Sequence, residues 1–114
     1  MNDNKREAVV LRVYVRESEQ WQGKPLYLAI VEEARNRGLA GATVLRCIGG
    51  FGLYSIGQTT RVPEESRELP VVIEIVDWED MAQSFLKTVE EMVEEGLVTT
   101  QRVQVASYRT RRSN

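Results

Sequence analysis

Histidine is absent from this 114-residue chain, and cysteine occurs once, at Cys47. The first absence removes the Ser/His/Asp triad, the Cys/His dyad and every zinc site that uses an imidazole. The second excludes an intrachain disulfide. Long apolar runs are missing too: none approaches the ~20 residues of a membrane span, and the polar start from Met1 to Glu7 lacks the apolar core of a signal peptide. Nor is there an excess of charge of one sign. Fifteen basic and seventeen acidic side chains leave a net charge of −2 and a pI near 5.3, which argues against general binding to nucleic acid or anionic membrane. A cytoplasmic protein without a nucleic-acid partner is expected. What is present is ordinary globular usage, 42% hydrophobic and 28% charged, and one domain spanning residues 1–114 accounts for the length.

Alternation places a strand at Ala8 to Val15, with Val9, Leu11, Val13 and Val15 on one face. A polar stretch from Glu17 to Lys24 follows. Pro25 suits a first helical position, and Leu26, Ala29, Ile30 and Ala34 recur at helical spacing up to Gly38. Strands are read at Thr43 to Ile48 and Val71 to Val76. Asp77 is expected to cap a second helix with an apolar face of Met81, Phe85, Val89, Met92 and Val93, ended by Gly96. A last strand, Gln101 to Tyr108, precedes a basic tail, 109–114. The order βαββαβ is that of an α+β, ferredoxin-like domain: a four-stranded antiparallel sheet with two helices on one face.

Two features exceed that frame. About 20 residues, 49–68, separate the second and third strands where a hairpin needs ~2 to 5, and long loops are usually functional or disordered. The stretch Tyr54 to Glu68 is expected to be mobile, and the loop to order on a partner or ligand. The strand faces also divide unevenly. With Val9, Leu11, Val13, Leu45, Cys47, Val71, Ile73, Ile75, Val103 and Val105 under the helices, the opposite face holds Val10, Tyr14, Val44, Ile48, Val72, Val76 and Tyr108. That face is too apolar for water, while Arg12, Arg46, Glu74 and Gln104 give it a few charges, so self-association is the economical reading.

The segments Trp21 to Tyr27, Gly38 to Arg46, Gly50-Phe51-Gly52 and Leu69 to Ile75 closely resemble the family called domain of unknown function one-ninety, over roughly Val9 to Tyr108. That family is similar in fold to the PII signalling proteins, and the resemblance implies a PII-like homotrimer with adenine nucleotide held in clefts between subunits. Gly38, Leu39, Gly41, Thr43, Val44, Gly50, Phe51 and Gly52 match the PII segment that leads into its long loop, with one extra residue that a β-bulge in the second strand could absorb. Arg109 and Arg111 look like the arginine pair that PII proteins place against phosphate. The PII phosphate loop before the last strand is replaced by the short Glu95 to Thr100, which favours a mono- or diphosphate, AMP or ADP. The candidate binding set is therefore Gly49, Gly50, Phe51, Gly52, Arg46, Lys24, Arg109 and Arg111.

Each candidate has a plainer alternative. The glycines Gly49 to Gly52 permit close backbone approach to an anion, or simply make a turn. Lys24, before a helix start, favours an anion or is only an exposed lysine. Trp21 and Tyr54 could stack on a purine, although Trp21 equally suits pinning the entry to the first helix. Glu90, Glu91, Glu94 and Glu95 read as a solvated helix end, so no metal site is assigned. No nucleophile, acid and base assemble, and the chain is read as a non-enzyme. The expected function is a signalling protein that modulates a partner through its long loop, the resemblance pointing to a membrane transporter or channel. An interaction module without a small ligand, or a divalent-metal-binding trimer similar to copper-tolerance proteins, are the alternatives.

Overall fold

The β-branched run from Val9 to Val15 forms β1 (Glu7–Arg16), a central strand of the sheet. The structure is a computed structural model that describes residues 7–48 and 69–111. After β1 come the short β2 (Gln20–Trp21) and β3 (Lys24–Pro25), then α1 (Leu26–Asn36), β4 (Ala42–Arg46), β5 (Pro70–Trp78), α2 (Glu79–Met92) and β6 (Leu97–Gln104). The main sheet has the order β4-β5-β1-β6, antiparallel throughout. This is the ferredoxin-like arrangement that the element order predicts. The helices cover one face, where Leu11, Val13, Ile73 and Ile75 meet Leu26 and Ile30 of α1 and Phe85 and Val89 of α2. Burying side chains of this size contributes about 1.5–3 kcal/mol each.

Three local expectations need correction. The polar stretch before Pro25 contains a tight hairpin: Trp21 pairs with Lys24 across Gln22 and Gly23, whose φ angles of 50° and 86° are those of a type I′ turn. Pro25 is consequently the residue before α1, with ψ of 132°, not its first helical residue. Asp77 does not cap α2. Trp78 holds the cap position, and the buried Asp77 carboxylate instead accepts the backbone N–H of Ala40 at 2.8 Å and that of Trp78 at 2.6 Å.

The outer strands also present the opposite faces to those expected. Paired residues share a face, so Val44, opposite Ile73, looks toward the helices and Leu45, opposite Val72, toward the open side. Strand β6 begins at Leu97 rather than Gln101, with Val98 opposite Val13 on the helix side and Val103 opposite Ala8 on the open side. Cys47, half-buried, lies past the end of β4, its N–H donating to the Pro70 carbonyl at 3.2 Å. Pairing runs without interruption from Ala42 to Arg46, so β4 contains no bulge.

Gly96 marks the tightest point of the α2–β6 connection. A Cβ there would stand 2.6 Å from the Tyr14 carbonyl oxygen and 3.1 Å from a Val93 methyl. A backbone oxygen cannot swing aside as a side chain can. Gly96→Ala is expected to destabilise the fold by about 1–3 kcal/mol, the usual range for overpacking, read as a lower urea midpoint. An unchanged midpoint would contradict the close approach.

Candidate functional site

Register divides the open face into cross-strand bands. Leu45, Val72, Tyr14 and Leu97 form one row across all four strands, and Thr43, Glu74, Arg12 and Thr99 form the next. In this second row the Arg12 guanidinium donates to Glu74 at 2.9 Å and to Gln101 at 2.8 Å, bridging β5 and β6 over β1. Both ionic partners are about one-third exposed (32% each), so the pair keeps more of its attraction than a fully solvated one. The first row is apolar and open at its ends, with Leu45 48% and Leu97 40% exposed, while Val72 between them is buried.

Beyond the charged row, at the opposite end of the sheet from Leu45, lies a pocket of about 450 Å³. That volume suits a small molecule, since ligand sites run ~300–1,000 Å³. Its walls come from four separate parts of the chain: the start of β1 with Ala8, the α1–β4 connection with Gly41, the end of β5 with Val76 and Trp78, and the segment after β6 with Ser107 and Tyr108. Small residues, Ala8, Ala40 and Ala42, leave the space, and Thr43, Glu74, Asp77 and Ser107 supply polar atoms. Two aromatic rings beside small apolar walls, with a few hydrogen-bonding groups, make a surface for a flat, partly polar ring.

The expected site residues divide between the two ends of the sheet. Arg109 and Arg111 are exposed and follow in sequence Tyr108, which lines the pocket. Lys24 and Arg46 lie at the far end: Lys24 pairs with Glu32 at 2.6 Å and Arg46 with Glu17. Gly41 and Arg46 are separated by about 16 Å of extended strand, so no ligand of nucleotide-base size touches both within one chain. Gly49, Gly50, Phe51 and Gly52 lie outside the described residues, as does Tyr54 to Glu68. Trp21 is partly buried against the core, the packing role foreseen as its alternative. Trp78 and Tyr108 were missed. Trp78 is followed by a helix and Tyr108 by a basic tail, and only the pairing of β1 with both β5 and β6 brings them to one cavity.

Arg102, near the pocket end of β6, reaches the helix layer, donating to Glu79 at 3.0 Å and to Glu7 at 3.2 Å. Hydrogen bonds from Glu79 first and Glu7 second raise its pKa above the ordinary arginine value, so it is a fixed cation. Among the described residues, no three Asp, Glu or Cys side chains converge as a metal site would require. No helix described is long and apolar enough to cross a membrane.

Residues 8–105 match the model of a protein family described as "Uncharacterized ACR". A UPF0166 protein of Aquifex aeolicus is 38% identical over 96 residues, covering 84% of this chain and 90% of the relative. A UPF0166 protein of Methanocaldococcus jannaschii is 31% identical over 86 residues, 75% of this chain and 79% of that one. A second Aquifex aeolicus UPF0166 protein is 31% identical over 97 residues, 85% and 95% of the two chains.

Proposed function

Because the chain belongs to the DUF190 family, which its own motifs resemble, we propose that it is a PII-like regulatory protein, a non-enzymatic homotrimer that takes AMP or ADP and passes its occupancy to a partner protein. The observation that carries this proposal is the open-face pocket, where Gly41 and Thr43 of the PII-resembling segment meet Trp78 and Tyr108. A purine fits between apolar walls and aromatic rings, and Arg109 and Arg111 stand next in sequence to receive a phosphate. Lys24 and Arg46, at the far end of the sheet, do not line this pocket, and a neighbouring copy that brought them to its mouth would make a site shared between subunits. The connection from α2 to β6 is only Val93 to Gly96, leaving little chain to wrap a triphosphate. The partner is a cytoplasmic protein or the cytoplasmic side of a transporter or channel, reached through the 49–68 segment, whose flanks are drawn together by the bond from the Cys47 N–H to the Pro70 carbonyl.

Tryptophan fluorescence tests the site. The chain has two tryptophans, and in a Trp21→Phe variant the emission comes from Trp78 alone. AMP and ADP are expected to change it saturably, ATP with no tighter affinity, and inorganic phosphate not at all. No saturable change, together with silent calorimetry for all three nucleotides, would leave a bare interaction module as the better description.

A further inference from the structure

The pocket's wall at Ala40, Gly41 and Ala42 has a cavity on both sides. Behind it, toward the helices, lies a second space of about 370 Å³, lined by Val31, Ala34, Arg35 and Leu39 together with the same three residues. A wall of two alanines and a glycine has little side chain to brace it, and the space behind gives it room to retreat. Two backbone N–H groups anchor it. Leu39 N–H donates to the Ala34 carbonyl at 3.1 Å, holding the wall to α1, while Ala40 N–H donates to Asp77 at 2.8 Å, holding it to β5. Asp77 is only 8% exposed and lines the front pocket, with its second oxygen engaged by Trp78 N–H at 2.6 Å. One carboxylate thus ties the small-residue connection to the end of β5, beside Trp78.

We infer that Asp77 is a positioning residue for the pocket, its carboxylate holding the 40–42 wall forward at the width a flat ring fills. A charged acceptor on two N–H groups makes shorter and stronger bonds than a neutral one, which suits Ala40 and Gly41, since pairing with β5 begins only at Ala42, opposite Ile75. This rests on the nucleotide proposal for the ligand's identity but not for the clamp itself. Asp77→Asn keeps the shape and removes the charge and one acceptor oxygen; Asp77→Glu restores the charge on a longer arm and serves if the amide variant does not fold.

Amide hydrogen exchange and AMP titration of the full chain separate the outcomes. In Asp77→Asn, the amides of Ala40 and Gly41 should exchange at least ten times faster, those of Leu11 and Ile73 should not change, and AMP affinity should fall about tenfold. Asp77→Glu should recover slow exchange at Ala40 at least in part. Unchanged exchange at Ala40, or equal acceleration throughout the sheet, overturns the clamp. Faster exchange at Ala40 with undiminished AMP affinity overturns the positioning role. If the wild type binds no nucleotide, the functional proposal fails, and the exchange pattern alone still decides whether Asp77 holds the wall.

Discussion

Replacing Leu45 by Asp is expected to turn a particle three times the 13.0 kDa chain mass into a single chain in light scattering. Leu45 begins the apolar row that continues through Val72 and Tyr14 to Leu97 on the face the helices leave open. With Leu45 and Leu97 40–48% exposed, each offers a second copy much of its surface, at about 25 cal/mol per Å² buried. A carboxylate in that row must be desolvated at every interface of the ring, so a loss of at least a hundredfold in assembly affinity is expected. The neighbouring band, Arg12 with Glu74, sets register more than strength, since a partly exposed pair contributes little. Leu28, 42% exposed on α1, is the control: Leu28→Asp lies on the other layer and should leave the trimer intact. A wild type that scatters as a monomer at micromolar concentration sinks the trimer and the shared site together.

How far the sequence could lead is visible in these same rows. Strands β1 and β5 are long and buried on the helix face, and Arg12 in β1 and Glu74 in β5 mark the other face, so their pattern places Tyr14 and Val72 correctly. The edge strands do not constrain themselves in this way. Thr43 to Cys47 is apolar on both faces, and nothing in its own residues says which face meets the helices; a shift of one residue exchanges Leu45 for Val44. In β6 the pair Val103 and Val105 draws the eye, while Val98, Thr99 and Thr100, which begin the strand, resemble a loop after a glycine. Gln22-Gly23 is a weaker turn signal than Asn-Gly or Asp-Gly, so the hairpin stays hidden. The pocket was the least legible feature, because it depends on register between residues as distant as Gly41, Trp78 and Tyr108. Local pattern cannot supply that. Gly41 and Thr43 of the Gly38 to Thr43 motif line that pocket, yet the motif says nothing of the aromatic residues that line it with them.

Arg109→Ala is expected to weaken binding of AMP or ADP by about ten- to a hundredfold, the equivalent of about 1.5–3 kcal/mol for a charge-assisted contact to phosphate. Arg109 follows Tyr108, a wall of the pocket, and is exposed, so its removal should leave the thermal midpoint within the small range usual for surface changes. Arg111→Ala should act in the same direction. Both contacts are electrostatic and reachable by salt, so the difference between wild type and Arg109→Ala should shrink as ionic strength rises and the screening length falls from about 10 Å at 0.1 M to about 3 Å at 1 M. Adenosine supplies the internal comparison. Lacking phosphate, it should bind the two proteins equally through Trp78, Tyr108 and the small-residue walls. Equal affinity of wild type and Arg109→Ala for AMP and ADP would remove the tail from the site and leave the pocket as a receptor for the base alone, whereas a parallel loss for adenosine would mean that the substitution had disturbed Tyr108 rather than a phosphate contact.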